Sequence, residues 1–363
     1  MPEKPTPRGA AWYAGYALFL GLVLAVAVLF YFGGYTHLLS NESSSLSVET
    51  GLTQSHAHRD ASVVILGNST AAEDFRANSF NARSPSRLAL NLGIPGGHMY
   101  LFERILQASM REGVHPRTVI LIVTPELLSL RSDFDYLQND LVTLKTVLDS
   151  GDLFHLASHT RNLSGYIDYS AHVALRPVLF RAELRDFFAH PSARLKEATV
   201  VRAWLASFGP GSPMVESDNS FSVCEAGPLP QLRQTIDRMR GEGRTADASN
   251  DERVLAGYAP RVHQPLRVDA FETGRFRRML ERFAALRVPV YVVDAPYYDP
   301  NRDQYPLDYL RSVGDTIQQV VHGVPGVTLL PDFPADCSLF FDTVHLNRKG
   351  GEQFTEYLRT RVI

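Results

Sequence analysis

The chain has 363 residues, 45% of them hydrophobic and 21% charged, with a formal net charge of −3. This is ordinary globular composition, long enough for one large domain or two ordinary ones. The balance advertises no basic face, which makes nucleic acid a poor partner. The two cysteines, with no C-x-x-C and no Cys/His cluster, match no metal site.

Residues 11–34, AWYAGYALFLGLVLAVAVLFYFGG, carry no charge. At about 1.5 Å rise per residue they can cross a bilayer core of roughly 30 Å. Trp12, Tyr13 and Tyr16 stand at one end, and Phe30, Tyr31, Phe32 and Tyr35 at the other, as suits two membrane interfaces. Lys4 and Arg8 precede the run against a single Glu3. The positive-inside bias predicts a cytoplasmic tail (1–10), a transmembrane anchor (11–34) and an extracytoplasmic remainder, periplasmic in a Gram-negative cell. The apolar core of a cleaved signal peptide is shorter, about 7–15 residues. GGYTHLLSNESS offers no clear cleavage site, so the segment reads as a retained anchor.

Residues 35–59 are rich in Ser, Thr and Asn and lack helical periodicity, which predicts a linker. From residue 60 onward, β-branched runs end in turn residues: 61–66, 87–92, 118–123, 288–293 and 327–330. Continuous apolar runs suit strands of a parallel sheet covered on both faces. Helical spacing marks 99–111, 271–286, 307–321 and 348–362 between them. The alternation predicts an α/β doubly wound domain over 60–363 with a five-stranded parallel sheet. Residues 131–265 exceed a normal crossover. They are expected to form a partly helical insertion that covers or borders the site, or a separate small domain.

In such folds ligands bind beyond the carboxyl ends of the strands. The first strand ends in Gly67-Asn68-Ser69-Thr70, which places a hydroxyl on a strand-to-helix turn. A hydroxyl needs a base, and the base an orienting partner. Asp342 and His345 lie three apart after the last strand, with Asn347 the expected N-cap of the closing helix. A second Asp-x-x-His pair, Asp152 and His155, lies inside the insertion and reads as an ordinary polar pair.

The ordered set GNST, NLGIPGG and DTVHLN resembles the SGNH (GDSL-like) hydrolase superfamily over residues 61–129 and 288–363. The resemblance implies a flavodoxin-like αβα sandwich and a Ser69–His345–Asp342 triad. It also implies an oxyanion hole from Ser69 and Gly96, with Gly93 close behind, and neither cofactor nor metal. The third block departs from the family pattern, since Thr124-Pro125-Glu126 stands where an Asn donor is usual. Thr124 or Asn68 is the available substitute. With its anchor the chain looks most like branches that act on exported polysaccharide beside membrane-bound acyltransferases. The implied activity is a serine esterase or O-acyltransferase on acyl, above all acetyl, esters. The alternative is a catalytically silent glycan-binding or scaffold protein.

Asp294, Tyr297 and Tyr298 follow the fourth strand and are candidates to line the mouth. His98 reads as a surface residue. Asn-x-Ser/Thr occurs at Asn41, Asn68 and Asn162, and a glycan at Asn68 would fill the proposed site. Cys224 and Cys337 can pair outside the cytoplasm or stay as two buried thiols.

Overall fold

A computed structural model describes residues 10–41, 43, 45–129, 135–207, 222, 224, 266–298, 306–342 and 344–363. In chain order these form α1 (Ala10–Tyr31), α2 (Leu46–Ala57), β1 (Val63–Leu66), α3 (Ser69–Asp74), α4 (Ala77–Arg83), β2 (Ala89–Asn91), α5 (Met99–Arg111), β3 (Thr118–Val123) and α6 (Tyr136–Thr143). There follow α7 (Asp152–Leu156), α8 (Leu163–Ala174), α9 (Arg181–Ala189), α10 (Pro191–Ser207), α11 (Ala270–Ala284), β4 (Val290–Asp294), α12 (Leu307–His322), β5 (Val327–Leu329) and α13 (Arg348–Val362). The chain divides into two compact units: Met1–Leu46 with Lys145–Ala203, and Ser47–Leu144 with Trp204–Ile363.

The second unit is an α/β layer structure on a five-stranded parallel sheet, in the order β2-β1-β3-β4-β5. Alternate strand residues face opposite ways. Val63, Ile65, Ile120, Ile122 and Val293 share one core with Phe75 just after α3, Phe80 from α4, and Phe354 and Leu358 from α13. Val64, Leu66, Val119, Leu121 and Val292 are buried on the other face. Burial on both faces is why the strands read as unbroken apolar runs. The register Leu66↔Leu121 and Val123↔Asp294 brings the ends of β1, β3 and β4 to one edge.

Residues 35–59 differ from the expected linker, because α2 fills the second half with Val48, Thr50, Gln54 and Ser55 buried. Its buried Ser55 is satisfied: the hydroxyl donates to Gly51 O at 2.8 Å and meets Ser109 Oγ of α5 at 2.8 Å. Such a helix buries surface without the apolar stripe that announces helices in sequence.

In the first unit α1 is uncharged, and most of its large apolar side chains are exposed. Trp12–Phe30 is long and apolar enough to cross a membrane. The helix ends where Gly33 takes φ +81°, the left-handed conformation that commonly closes helices. Beyond the sheet-bearing unit, part of the expected 131–265 insertion forms α7–α10 here. The Lys145 ammonium and Glu183 carboxylate pair in its interior.

Candidate active site

Three turns at the carboxyl edge of the sheet carry the chemistry-bearing residues. The first follows β1. Gly67 has φ +151°, and a Cβ there would sit 2.6 Å from Ala71 Cβ and 2.7 Å from Ile122 O, so only glycine fits. Asn68 then caps α3, its Oδ1 accepting from Thr70 N at 3.1 Å and from the Thr70 hydroxyl at 2.9 Å. Ser69 is the first helical residue, so its own N–H lies among the amides a helix leaves without an internal partner.

The third turn precedes α13. Asn347 caps that helix through Gly350 N at 2.9 Å and donates to Ser338 O at 2.8 Å. Just upstream, Asp342 Oδ1 accepts from the amides of Val344 (2.9 Å) and His345 (2.7 Å). The same carboxylate meets His345 Nδ1 at 2.9 Å through Oδ2. On the other side of the ring, Nε2 lies 2.9 Å from Ser69 Oγ. Hydroxyl, imidazole and carboxylate thus stand in one hydrogen-bonded line across 276 positions of sequence. Phe341 stacks on the imidazole with ring centres 5.7 Å apart.

Burial alone would raise Asp342, but the His345 hydrogen bond and charge and the two backbone amides hold its carboxyl below the ordinary value. Burial likewise opposes charge on His345. The hydrogen bond and charge of Asp342 outweigh it, with smaller contributions from Glu73 and Asp74, and lift the imidazole to about 9. Glu73 Oε1 lies 3.9 Å from His345 Nε2.

Asp74, on the same short helix as Ser69, is fully buried. Its Oδ1 accepts from Leu346 N at 2.8 Å, and its Oδ2 has no hydrogen-bond partner. Desolvation pushes its carboxyl well above the usual range. This buried carboxyl therefore joins the serine helix to the residue after the histidine.

The second turn follows β2 and corrects one expectation. Gly93 is a packing glycine, since a Cβ there would lie 2.4 Å from Ala72 N. Its N–H is already spent on Asn91 Oδ1 at 2.9 Å, so it cannot serve an oxyanion. Asn91 also donates to Ala71 O at 2.8 Å, which ties β2 to α3. Gly96 differs: at φ +72° its carbonyl accepts from Asn139 Nδ2 at 2.9 Å, and among the described residues its N–H has no partner.

His98 is also corrected. It is buried, heads α5, and stacks on Tyr136 with ring centres 4.4 Å apart. Asp140 from α6 accepts from the amides of His98 (2.9 Å) and Leu101 (3.1 Å), and burial raises its carboxyl to about 7.

A cavity of about 190 Å³ opens beside these turns, lined by Asn68, Gly96, His98, Thr124, Leu127 and Tyr136 among others. Asn68 Nδ2 donates to Thr124 Oγ1 at 3.1 Å. The direction is fixed, because Asn68 Oδ1 is occupied by the Thr70 amide. Thr124 therefore receives one bond and keeps its own proton for another acceptor.

Asp294 and Tyr297 belong to a separate cavity of about 440 Å³, with Asp332, Phe333 and residues of α12. Burial and the Asp332 charge raise Asp294 to about 6, and its Oδ1 has no hydrogen-bond partner. Tyr298 does not line that cavity; it packs on Phe340, ring centres 6.0 Å apart. Asp152 lies in the other unit, accepting from Asp149 N at 2.7 Å. Asn162 caps α8 through Gly165 N at 2.8 Å. Cys224 and Cys337 are joined as a disulfide with Cα atoms 5.2 Å apart. Among the described residues no His/Cys/Asp/Glu group could hold a metal.

Sequence reading missed Asp74, Asn91, Asn139 and Asp140. Their roles depend on partners distant in sequence, and no local pattern marks them. Comparison with protein-family models gives no match, and comparison with curated proteins gives none either.

Proposed function

We propose that this chain is a membrane-anchored serine esterase or O-acyltransferase of SGNH type, acting on acyl esters of exported polysaccharide. The observation that carries the reading is the line Asp342–His345–Ser69, with 2.9 Å at each contact. The strand order β2-β1-β3-β4-β5, which is that of flavodoxin-like folds, supports the family resemblance. The uncharged α1 supports the anchor, and Lys4 and Arg8 before it support an extracytoplasmic domain.

In this reading Ser69 Oγ attacks the ester carbonyl while His345 Nε2 takes its proton. Asp342 holds the tautomer and offsets the imidazolium charge. The amides of Ser69 and Gly96 receive the oxyanion, and the Thr124 hydroxyl, oriented by Asn68, supplies the side-chain donor that the family takes from Asn. His345 then protonates the departing alkoxide. Water completes hydrolysis, and a sugar hydroxyl completes transfer. A membrane-bound acyltransferase is the natural acyl source for the second route.

The Thr124-Pro125-Glu126 segment after β3, which lacks the family's Asn, favours one other reading, a silent glycan-binding scaffold. The full chain in detergent micelles, assayed with p-nitrophenyl acetate, separates the two. Turnover should fall by about 10⁴–10⁶-fold in Ser69→Ala, the scale of nucleophile loss in comparable triads. Equal rates in both proteins would remove Ser69 from the mechanism, and glycan binding without turnover would select the scaffold.

A further inference from the structure

The first unit carries an outward apolar surface that its own fold leaves uncovered. On α8, Leu163, Ile167, Ala171 and Ala174 are all exposed, Leu163 by 72% and Ile167 by 60%. At about 100° per residue these four positions fall within one arc of roughly 80°. The opposite side of α8 packs inward through Val173. In the same unit Phe154 on α7 is 83% exposed and Phe188 on α9 is 76% exposed. On α9 the exposed Arg181 and Arg185 share a face with Phe188, at spacings of four and three. Isolated exposed apolar residues need no explanation, but a helical stripe in a unit that exposes further large aromatic side chains does.

The depth of this surface follows from its attachment to α1. The apolar span runs Trp12–Phe30, and at about 1.5 Å per residue it is used up in crossing the hydrocarbon core. Phe30 therefore stands at the far edge of that core. It is 1% exposed, and Phe180, in the turn between α8 and α9, covers it with ring centres 4.7 Å apart. Three further contacts fix the same junction. The Tyr35 hydroxyl donates to Thr146 O at 2.8 Å, the Arg176 guanidinium lies 4.7 Å over the Tyr35 ring, and Arg176 Nε donates to Lys145 O at 2.9 Å. Helices built around Phe30 and Tyr35 cannot stand far from the level where the span leaves the lipid.

We infer that α7–α9 form a second, monotopic membrane contact, with the α8 stripe and Phe188 in the acyl–headgroup boundary and Arg181 and Arg185 among the phosphates. Apolar residues flanked by arginine are the composition of helices that lie in an interface. The occupant is lipid rather than protein because the segment that joins α8 to α9 packs on the exit point of a span. The inference rests on reading α1 as that span.

The test uses the full chain with one added cysteine, at Leu22, Ile167 or Phe188, each an exposed site. Cys224 and Cys337 are already joined to each other. Each variant carries an environment-sensitive fluorophore in phosphatidylcholine–phosphatidylglycerol vesicles, with or without brominated acyl chains. The expected result is blue-shifted emission, lost to brominated chains, at all three positions. Quenching at Leu22 alone, with the other two open to aqueous iodide, would overturn the second contact and leave the span standing. A blue shift at Ile167 and Phe188 without quenching by lipid bromine also overturns it, in favour of a protein cover such as a second copy. If Leu22 escapes lipid quenching, the span reading fails and the interfacial surface falls with it.

Discussion

Ser69, Asp342 and His345 each sit in a short local pattern at a strand or helix end, which is why the sequence singles them out as candidates. What surrounds the imidazole carries no such pattern. Glu73 follows Ser69 by four residues, yet only the fold places its carboxylate 3.9 Å from Nε2. That negative environment has a measurable consequence. His345 must be neutral to accept the serine proton, and it titrates at about 9. The rate constant kcat/KM should therefore rise with pH, with its acid-side inflection near 9, and Glu73→Gln should move the inflection down. A flat profile from neutrality upward would contradict the assignment. Asp74 behaves oppositely to Asp342. Its folded value lies above the unfolded one, so the folded state holds a proton that the unfolded state releases. Its protonation therefore costs stability increasingly as pH rises above the unfolded value. Asp74→Asn keeps an acceptor for Leu346 N and is expected to lessen that loss in urea melts at pH 8. Asp74→Ala orphans the Leu346 amide, which should cost about 1–3 kcal/mol and lower kcat by freeing the histidine turn.

Among the elements, α6 braces the candidate site from outside. Asn139 and Asp140 hold the Gly96–Leu101 turn from outside, through one carbonyl and two amides. Asp140→Ala leaves both amides unpaired, at about 1–3 kcal/mol for each buried group. Thermal melts should show the loss together with a fall in kcat. Asn139→Ala removes a more exposed contact. It should change stability by no more than about 0.5 kcal/mol while still lowering kcat, because it frees the Gly96 carbonyl. If both variants keep wild-type turnover, the Gly96 amide is not an oxyanion donor. These elements also mark where sequence reading stops. Sheet strands announce themselves by burial on both faces, and α5, α11, α12 and α13 by apolar spacing. By contrast, α2 hides its burial in paired hydroxyls. Gly93 and Gly96 look equivalent in NLGIPGG, and the choice between them is made by the Asn91 side chain. His98 reads as a surface residue because nothing local foretells the Tyr136 ring stacked on it.

For the molecule as a whole, long-range closure sets both the fold and the site. The two ends of the α/β unit meet through Ser69 and His345, through Leu346 N and Asp74, and through Arg76 N, which donates to Thr355 Oγ1 at 2.8 Å. The disulfide adds a covalent tie across 113 positions, and Cys337 lies five residues before Asp342. Removing a bridge that closes so long a loop costs about 2–5 kcal/mol. The Cys224→Ser/Cys337→Ser double variant, or thiol reduction, should lower the melting temperature and the turnover together. An unchanged melt would make the bridge incidental. The division into two units was not legible in sequence beyond the expectation of an insertion, because what joins residues 1–46 to 145–203 is contact between side chains far apart in the chain.

That sulfur bridge also bears on when the protein matures. Thiols stay reduced where the chain is synthesised, and the bond forms only in oxidising surroundings. If the domain is exported as proposed, the turn holding Asp342 and His345 gains its last restraint only after export, and the newly made polypeptide should turn over acyl esters more slowly before the bond forms than after it.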